Sequence, residues 1–159
     1  MAKSNSSTGA QLESLMRKAL HAYSMIPEEG GVAIALSGGK DSLTLLHLLA
    51  KVRGCGFRPF PLVAIHISGA FTCGAGVQLP FLESCCESLG VPLIVRETHQ
   101  SLETLECYSC SRTRRKLLFE AALEHGCSTL AFGHHRDDSI QTLLMNLLHK
   151  AEIAANRVV

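Results

Sequence analysis

The chain has 159 residues, with 15 Lys or Arg against 14 Asp or Glu, and 47% of it is hydrophobic. This length is typical of one domain of roughly 100–200 residues, and the composition excludes an intrinsically disordered chain. A net charge of +1 excludes a nucleic-acid-binding assignment from bulk charge alone, so any basic surface must be local.

Predicted helices and strands alternate along the chain, after a Ser-rich start at residues 1–10 that we expect to be flexible. Apolar periodicity predicts helices over residues 11–25, 42–52, 78–89, 112–125 and 138–149. Short apolar runs predict buried strands over residues 32–36, 62–67, 93–95 (extending to 98) and 129–133.

This alternation is typical of an α/β fold, a Rossmann-like, doubly wound parallel sheet with helices on both faces. We expect one domain over residues 11–159. Because no strand follows the last predicted helix, we also expect that domain to be incomplete at its carboxyl end and to lack its last strand.

The cysteines bear on the compartment. The chain has seven of them: Cys55, Cys73, Cys85, Cys86, Cys107, Cys110 and Cys127. An odd number favours free thiols or metal ligands over a disulfide framework. The first ten residues hold no apolar signal-peptide core, and no run reaches the roughly 20 apolar residues of a membrane span. We therefore expect a cytoplasmic protein with no membrane association.

The first candidate site is the turn Ser37-Gly38-Gly39-Lys40-Asp41-Ser42, between a predicted strand and a helix. Two glycines let the backbone approach a ligand closely, and a helix N-terminus suits a phosphate. Ser37 and Ser42 add hydroxyl donors, Lys40 a cation, and Asp41 a carboxylate able to hold Mg²⁺ against a triphosphate. The turn is not a Walker A loop, because Ile34 stands where that motif has its first glycine. An ordinary Gly-rich turn is the alternative.

The second candidate site is the pair Cys107 and Cys110, on a predicted turn before a helix that carries Arg112, Arg114 and Arg115. Two thiolates separated by two residues can face one metal, so the pair is half of a metal site or a redox pair. A chance pair of thiols is the alternative. The arginines could activate the thiols or bind a nucleic-acid backbone, but alone they are more typical of the solvated face of a helix.

The third candidate site is Gly133-His134-His135-Arg136-Asp137-Asp138, at the end of the fourth predicted strand. Ligands of doubly wound sheets bind at the carboxyl ends of strands, so this segment is expected near Ser37–Ser42 if the fourth strand lies beside the first. Adjacent histidines point in opposite directions at a strand end, so capping or core histidines are more common there than metal ligands. Asp137 or Asp138 could simply cap the last helix.

The hexapeptide SGGKDS is the PP-loop signature, and the chain resembles the PP-loop ATP pyrophosphatase superfamily of adenine nucleotide alpha hydrolase-like proteins. With CYSCSRTRR and GHHRDD in the same order and spacing, it is similar to the TtcA family of tRNA 2-thiocytidine synthetases over about residues 10–150. The resemblance implies a transferase of tRNA processing. ATP would adenylate the C2 oxygen of an anticodon-loop cytidine, and sulfur from a persulfide, delivered through a [4Fe-4S] cluster, would displace AMP.

The resemblance also implies a role for individual residues. The nucleotide would be bound by Ser37, Gly38, Gly39, Lys40, Asp41, Ser42, Ile67 and Gly133. Backbone groups near Ile65–Ser68 would read the adenine edge. Asp41, Asp137 and Asp138 would act on ATP, Mg²⁺ or the base.

Cys107 and Cys110 would be cluster ligands. The family takes its third cluster cysteine from a carboxyl-terminal region, and we assign none of the other cysteines, Cys127 included, to that place. The implied partners are tRNA, a persulfide donor such as a cysteine desulfurase, and a second copy in a homodimer.

Two other functions stay open. A lysidine synthetase of the same superfamily would leave Cys107 and Cys110 without a use. A non-catalytic module that binds an adenine nucleotide is the alternative outside enzymes. A structural zinc on the two thiols is a further variant, since thiolates at this spacing suit zinc.

Overall fold

The computed structural model describes residues 4–69, 78–98 and 107–150. The helices are α1 (Ser4–Ala22), α2 (Lys40–Val52), α3 (Leu79–Ser88), α4 (Cys107–Glu124) and α5 (Arg136–Lys150). The strands are β1 (Gly31–Ala35), β2 (Leu62–Gly69), β3 (Leu93–Thr98) and β4 (Cys127–Phe132). The strands form one sheet in the order β3-β2-β1-β4, and every pair is parallel. The predicted doubly wound α/β fold is therefore confirmed.

Strand β1 lies inside the sheet, between β2 and β4. Ile34 of β1 is in register with Ala64 of β2 and with Ala131 of β4. The chain leaves β1 toward β2 and β3 and then crosses back to β4, so the strand order reverses beside β1. A reversal of this kind opens a crevice at the carboxyl ends of the strands, where ligands of such sheets bind.

Alternate residues of the central strands pack into two cores on opposite faces of the sheet. Val32 and Ile34 pack with α1, α2 and α3, whose buried residues are Leu20, Leu46, Leu49, Val52, Leu82 and Cys86. Ala33 and Ile65 face the other way and pack with α4, whose buried residues are Leu118, Ala121 and Ala122. The period of two along each strand explains this division, and helices do lie on both faces as predicted.

Two predicted boundaries are wrong. Helix α1 begins at Ser4 rather than residue 11, so residues 4–10, expected to be a flexible start, are helical. Helix α4 begins at Cys107 rather than Arg112, so the cysteine pair lies in its first turn and not in a turn before it. Neither extension contains a proline, and a helix once nucleated adds residues at little free-energy cost.

Helix α5 turns its apolar residues outward. Its most exposed apolar side chains are Ile140 (47%), Leu144 (51%), Met145 (61%) and Leu148 (81%). They recur at the spacing of one helix face. Over the described ranges, no helix is long and apolar enough to cross a membrane.

Candidate functional site

A cavity of about 510 Å³ opens at the carboxyl ends of β1, β2 and β4. Its size is within the usual range of roughly 300–1,000 Å³ for small-molecule sites. The lining residues are Ala35, Leu36, Ser37, Gly39, Asp41, Ser42, Ile65, His66, Ile67, Ser111, Arg114, Arg115, Leu118, Phe132, Gly133, His134 and Asp138. Residues from all three predicted sites, or directly beside them, therefore meet at the point where the strand order reverses.

The turn between β1 and α2 is held in shape by its own hydroxyl groups. Ser37 Oγ donates to Ser42 Oγ at 3.1 Å, and Ser42 Oγ donates to the Gly39 carbonyl at 2.9 Å. The Gly39 N–H returns a hydrogen bond to Ser37 Oγ at 3.3 Å. Gly38 has a φ of +87°, a left-handed conformation that favours glycine. These hydrogen bonds hold the loop in shape without a ligand. That the two serine hydroxyls donate to a phosphate stays a prediction.

The start of α2 is the feature of the cavity that best suits an anion. Its N-cap residue is Gly39, which has no side chain to accept hydrogen bonds from the first turn. The N–H groups of a first turn carry partial positive charge and suit a phosphate. Asp41 is exposed and lines the cavity, so its carboxylate can reach a cation there. Lys40 is exposed but is not part of the cavity wall.

Gly133 lets the end of β4 lie directly against the start of α2. A Cβ at this position would lie 2.8 Å from the Ser42 nitrogen, 2.9 Å from its Cα and 3.0 Å from the Asp41 carbonyl carbon. These atoms are backbone, so they cannot rotate away as a side chain can. Gly133 therefore sets the distance between the GHHRDD segment and the Ser37–Ser42 turn.

Helix α4 forms the opposite wall of the cavity. Ser111, Arg114, Arg115 and Leu118 line it and recur at the spacing of one helix face. Arg114 donates from Nη2 to the carbonyl of Ile67, a buried residue near the end of β2. The view that the arginine run is only a solvated helix face is therefore wrong for Arg114, whereas Arg115 is exposed and also lines the cavity. The helical spacing from Leu118 was the signal that could have shown it.

The cysteines fall into separate places in the fold. Cys110 is buried in the first part of α4, one residue before the cavity-lining Ser111. The side chain of Cys107 lies outside the described residues, as does Cys73. The remaining described cysteines, Cys55, Cys85, Cys86 and Cys127, are free thiols, as is Cys110. Over the described part of the chain, no group of three or more His, Cys, Asp or Glu side chains is placed to hold a metal.

Two of these thiols are set apart from the cavity by burial and position. Cys127 lies at the amino end of β4, whereas the cavity lies at the carboxyl end, and burial raises the pKa of the Cys127 thiol. Burial, with a smaller contribution from Cys85, raises the pKa of the Cys86 thiol in α3. Neither thiol lines the cavity. This supports leaving Cys127 out of the metal site.

The GHHRDD segment divides between the cavity and a helix cap. Asp138 Oδ2 accepts a hydrogen bond from the His135 backbone N–H at 2.7 Å, so it caps α5 from inside the first turn. Asp138 also lines the cavity, whereas Asp137 is exposed and does not. The exposed His134 ring stacks on Phe132, with centroids 5.6 Å apart. The structure thus brings Gly133, His134 and Asp138 to the site.

His66 is a cavity residue that the sequence reasoning missed. Its Nδ1 lies 2.7 Å from the carbonyl oxygen of Leu36, the residue directly before the Ser37 turn. A carbonyl only accepts, so Nδ1 carries the proton in this contact. One polar residue inside the apolar run of β2 was the available signal.

Comparison with known proteins gives consistent matches. Residues 9–156 match the family model of the PP-loop domain. The tRNA-cytidine(32) 2-sulfurtransferase of Anaeromyxobacter dehalogenans (strain 2CP-C) is 36% identical over 158 residues, which cover 90% of this chain and 53% of that protein. Its counterpart from Alkalilimnicola ehrlichii is 37% identical over 153 residues, with 91% and 48% covered. The chain thus spans about half the length of these curated relatives.

A solved structure is similar over the same part of the chain. The U34-tRNA thiolase NcsA from Methanococcus maripaludis, described with its [4Fe-4S] cluster, superposes with a TM-score of 0.74 at 26% identity. The match covers 91% of this chain and 50% of that one. The fold and the order of its elements are therefore shared with a tRNA thiolase.

Proposed function

This chain belongs to the PP-loop domain family, and from that premise we propose that it is a tRNA-modifying enzyme that uses ATP to thiolate an anticodon-loop cytidine at C2. The observation that carries the proposal is the single cavity that joins the Ser37–Ser42 turn, the helix that begins with the cysteine pair, and the GHHRDD segment. A lysidine synthetase would leave the cysteine pair without a role, and the relatives at 36% and 37% identity are named as sulfurtransferases.

The nucleotide is bound with its pyrophosphate at the start of α2. The first-turn N–H groups of that helix point into the cavity region and attract negative charge. The exposed Asp41 carboxylate holds Mg²⁺ against the phosphate oxygens, since Mg²⁺ is commonly bound through one or two carboxylates plus phosphates. The adenine lies toward the apolar wall of Ile65 and Ile67, where backbone groups read its edge.

The chemical step is adenylation followed by replacement. The C2 oxygen of the cytidine attacks the α-phosphorus, a new oxygen–phosphorus bond forms, and pyrophosphate leaves with the electron pair of the broken bond. A sulfur nucleophile then adds at C2, and AMP departs with the former C2 oxygen. The cavity supplies phosphate binding and excludes water on one side through Leu118 and Phe132.

The cysteine pair fits part of an iron–sulfur site. Cys107 and Cys110 are three residues apart in the first turn of α4, and such positions share one helix face. When bound, a [4Fe-4S] cluster would supply a thiophilic iron for the sulfur that is transferred. Clusters of this type normally have four cysteine ligands, so two thiolates leave it under-ligated. We therefore expect the 159-residue chain to retain a cluster poorly.

The proposal also covers the sulfur donor, the oligomeric state and the cellular compartment. A persulfide donor such as a cysteine desulfurase supplies the sulfur, because the chain's other described thiols lie away from the cavity. Two equivalents of an external thiol reduce the persulfide to sulfide and are oxidised to a disulfide, so the sulfur that adds at C2 is at the sulfide level. The enzyme acts as a homodimer in the cytoplasm, where thiols stay reduced.

The proposal is tested by following the products of ATP. The full chain is incubated under anaerobic conditions with Mg²⁺, α-labelled ATP, sulfide and a tRNA that carries the target cytidine. We expect pyrophosphate, formed only when tRNA is present, with AMP and 2-thiocytidine, read by mass spectrometry of the digested RNA, formed in proportion to the cluster that the chain retains after reconstitution. The Asp41→Asn variant is the matched control and should form little AMP. Release of ADP instead of AMP would contradict the proposal.

The cluster is tested separately by anaerobic reconstitution with iron and sulfide, counted per chain. We expect weak retention by the wild-type chain and none by the Cys107→Ala/Cys110→Ala double variant. Strong retention by the double variant would show that other cysteines hold the cluster. Stoichiometric zinc in the protein as purified would favour the structural zinc instead.

A further inference from the structure

Three arginines near the start of α4 differ in what they contact. Arg112 is exposed and lies outside the cavity wall. Arg114 lines the cavity and is committed to the Ile67 carbonyl. Arg115 also lines the cavity and is exposed, and over the described ranges its guanidinium has neither a hydrogen bond nor an ion pair. The two cavity arginines therefore have separate roles, one holding the wall and one facing the cavity space.

The position of α4 places Arg115 between the two ends of a bound nucleotide. The start of α2 lies at one end of the cavity, where first-turn N–H groups attract the terminal phosphates. The apolar residues Ile65 and Ile67, which line the cavity from the neighbouring strand β2, mark the proposed adenine end of the nucleotide. Helix α4 packs on the sheet face that contains Ile65, so its cavity residues overlie the space between these ends. In a nucleotide with this orientation, the α-phosphate occupies that space.

Over the described residues, two carboxylates line the cavity, and neither forms an ion pair with Arg115. The carboxylates in its wall are those of Asp41, at the α2 end, and Asp138, which accepts the His135 N–H. On α4 itself, Lys116 is directed to Glu120 at 3.6 Å. An unpaired guanidinium in a partly enclosed site is a strong partner for phosphate oxygens, because it can donate two parallel hydrogen bonds.

We propose that Arg115 is a further catalytic residue, which binds the α-phosphate of ATP and stabilises the negative charge that its oxygens gain during adenylation. This inference rests on the proposed function, because it takes ATP as the ligand of the cavity. As the C2 oxygen bonds to the α-phosphorus and the bond to pyrophosphate breaks, charge on the non-bridging oxygens increases. A guanidinium that donates to those oxygens lowers the energy of that state more than that of the ground state. Contact of Arg115 with an RNA backbone is the competing assignment.

The assignment is tested by displacement of a fluorescent ATP analogue from the full chain. AMP contains the α-phosphate and pyrophosphate does not, so the two competitors separate the ends of the nucleotide, with adenosine as the phosphate-free reference. The variants are Arg115→Ala and Arg115→Lys, and Arg112→Ala is the matched control on the same helix. Because Arg115 is exposed, its replacement leaves the thermal unfolding temperature unchanged, which is measured on every variant.

We expect Arg115→Ala to lower the affinity for ATP and the affinity for AMP by about tenfold each, which corresponds to the loss of one charge-assisted contact. The affinities for pyrophosphate and adenosine should stay within about twofold of wild type. Arg115→Lys should have ATP and AMP affinities between those of wild type and Arg115→Ala, since a lysine keeps the charge without the planar fork. Arg112→Ala should change none of them.

Each other outcome has a definite meaning. Equal ATP and AMP affinity in wild type and Arg115→Ala overturns this inference and leaves the proposed function standing. An equal loss for AMP and pyrophosphate also overturns it, because the arginine would then act on all phosphates. Loss of tRNA affinity with unchanged AMP affinity assigns Arg115 to the RNA backbone. Failure of the wild-type chain to bind either ATP or pyrophosphate removes the proposed function itself.

Discussion

At the scale of single residues, Gly133 sets how closely the end of β4 approaches the Ser37–Ser42 turn. We expect Gly133→Ala to weaken Mg·ATP binding by more than tenfold, because the added Cβ would lie 2.8 Å from the Ser42 nitrogen and would push the α2 start out of place. Calorimetric titration with Mg·ATP measures this. Gly9→Ala is the control, since nothing lies within 4 Å of a Cβ there, and it should stabilise α1 by roughly 0.5–1 kcal/mol. Unchanged ATP affinity in Gly133→Ala would argue against this placement of the nucleotide.

Asp41 is the second residue whose replacement has a defined expectation. Its carboxylate is exposed at the cavity and is assigned to Mg²⁺, so Asp41→Asn should weaken Mg·ATP binding by about tenfold while the unfolding temperature stays the same. The affinity for metal-free ATP, measured in EDTA, should change little. If Asp41→Asn binds Mg·ATP as tightly as wild type, the cation lies elsewhere.

Residue positions in the site are predictable where they depend on local sequence. The Ser37–Ser42 turn was recognised because its glycines, hydroxyls and helix start are adjacent along the chain. The cavity positions of Arg115 and His66 depend on how α4 and β2 pack against other elements, so neither stood out from the sequence. Asp138 shows an intermediate case, because its capping role is local while its place in the cavity wall depends on the neighbouring β1.

At the scale of elements, an ion pair of Glu13 links α1 to α2. Its carboxylate contacts Lys51 of α2 at 2.7 Å and Arg17 of α1 at 2.9 Å. Hydrogen bonds from Lys51 first, and then from Arg17, lower the pKa of Glu13 below its ordinary value. Arg17 also donates to the carbonyl of Cys55, beyond the end of α2.

A lowered pKa in the folded state fixes the sign of the pH dependence. The contribution of Glu13 to stability is present above the unfolded-state pKa, near about 4.3, and is lost as the pH falls through the folded-state value. Urea unfolding of wild type and Glu13→Gln should therefore differ at pH 7 and converge on acidification. Glu83→Gln, at an exposed position on α3, serves as the control for the substitution itself. A constant difference down to pH 3 would exclude this linkage.

The helices also differ in how far they depend on the core. Leu46 of α2 is 1% exposed and Leu148 of α5 is 81% exposed. We expect Leu46→Ala to lower the free energy of unfolding by about 2–5 kcal/mol and Leu148→Ala to change it by less than about 0.5 kcal/mol. Denaturant unfolding measures both. A large loss from Leu148→Ala would show that the outer face of α5 is covered in solution.

Element types were predictable because the apolar runs and periodic stripes are strong, but their ends were not. The polar CYSC stretch has no apolar periodicity, so the sequence predicts that α4 begins at Arg112, yet Cys107–Cys110 is helical without proline or glycine to end it. The outward apolar face of α5 was also unexpected, since an apolar helix stripe ordinarily faces its own sheet.

At the scale of the whole molecule, the topology explains why three distant motifs form one site. Parallel strands place all their carboxyl ends at one edge, and the return from β3 to β4 brings residue 133 beside residues 37–42. The resemblance to PP-loop proteins is confirmed by the family match. The use of α4 as a wall of the same cavity follows from this topology, because the crossover from β3 to β4 must pass over the face opposite α2.

Because the cavity joins β1, β2, β4, α2 and α4, a bound nucleotide should stabilise the fold as a whole. At about 100 times its Kd, Mg·ATP adds roughly 2.7 kcal/mol to the free energy of unfolding. For a chain of this size that corresponds to a rise in Tm of about 5–10 °C.

GTP should give no rise in Tm, because the backbone groups near Ile65–Ser68 are assigned to the adenine edge. The amino and carbonyl positions of guanine present the opposite donors and acceptors. Thermal unfolding with each nucleotide, with Gly133→Ala as the binding-deficient control, measures both effects. An equal rise with GTP would contradict adenine recognition at β2, and a rise with ATP that persists in Gly133→Ala would place the nucleotide outside this cavity.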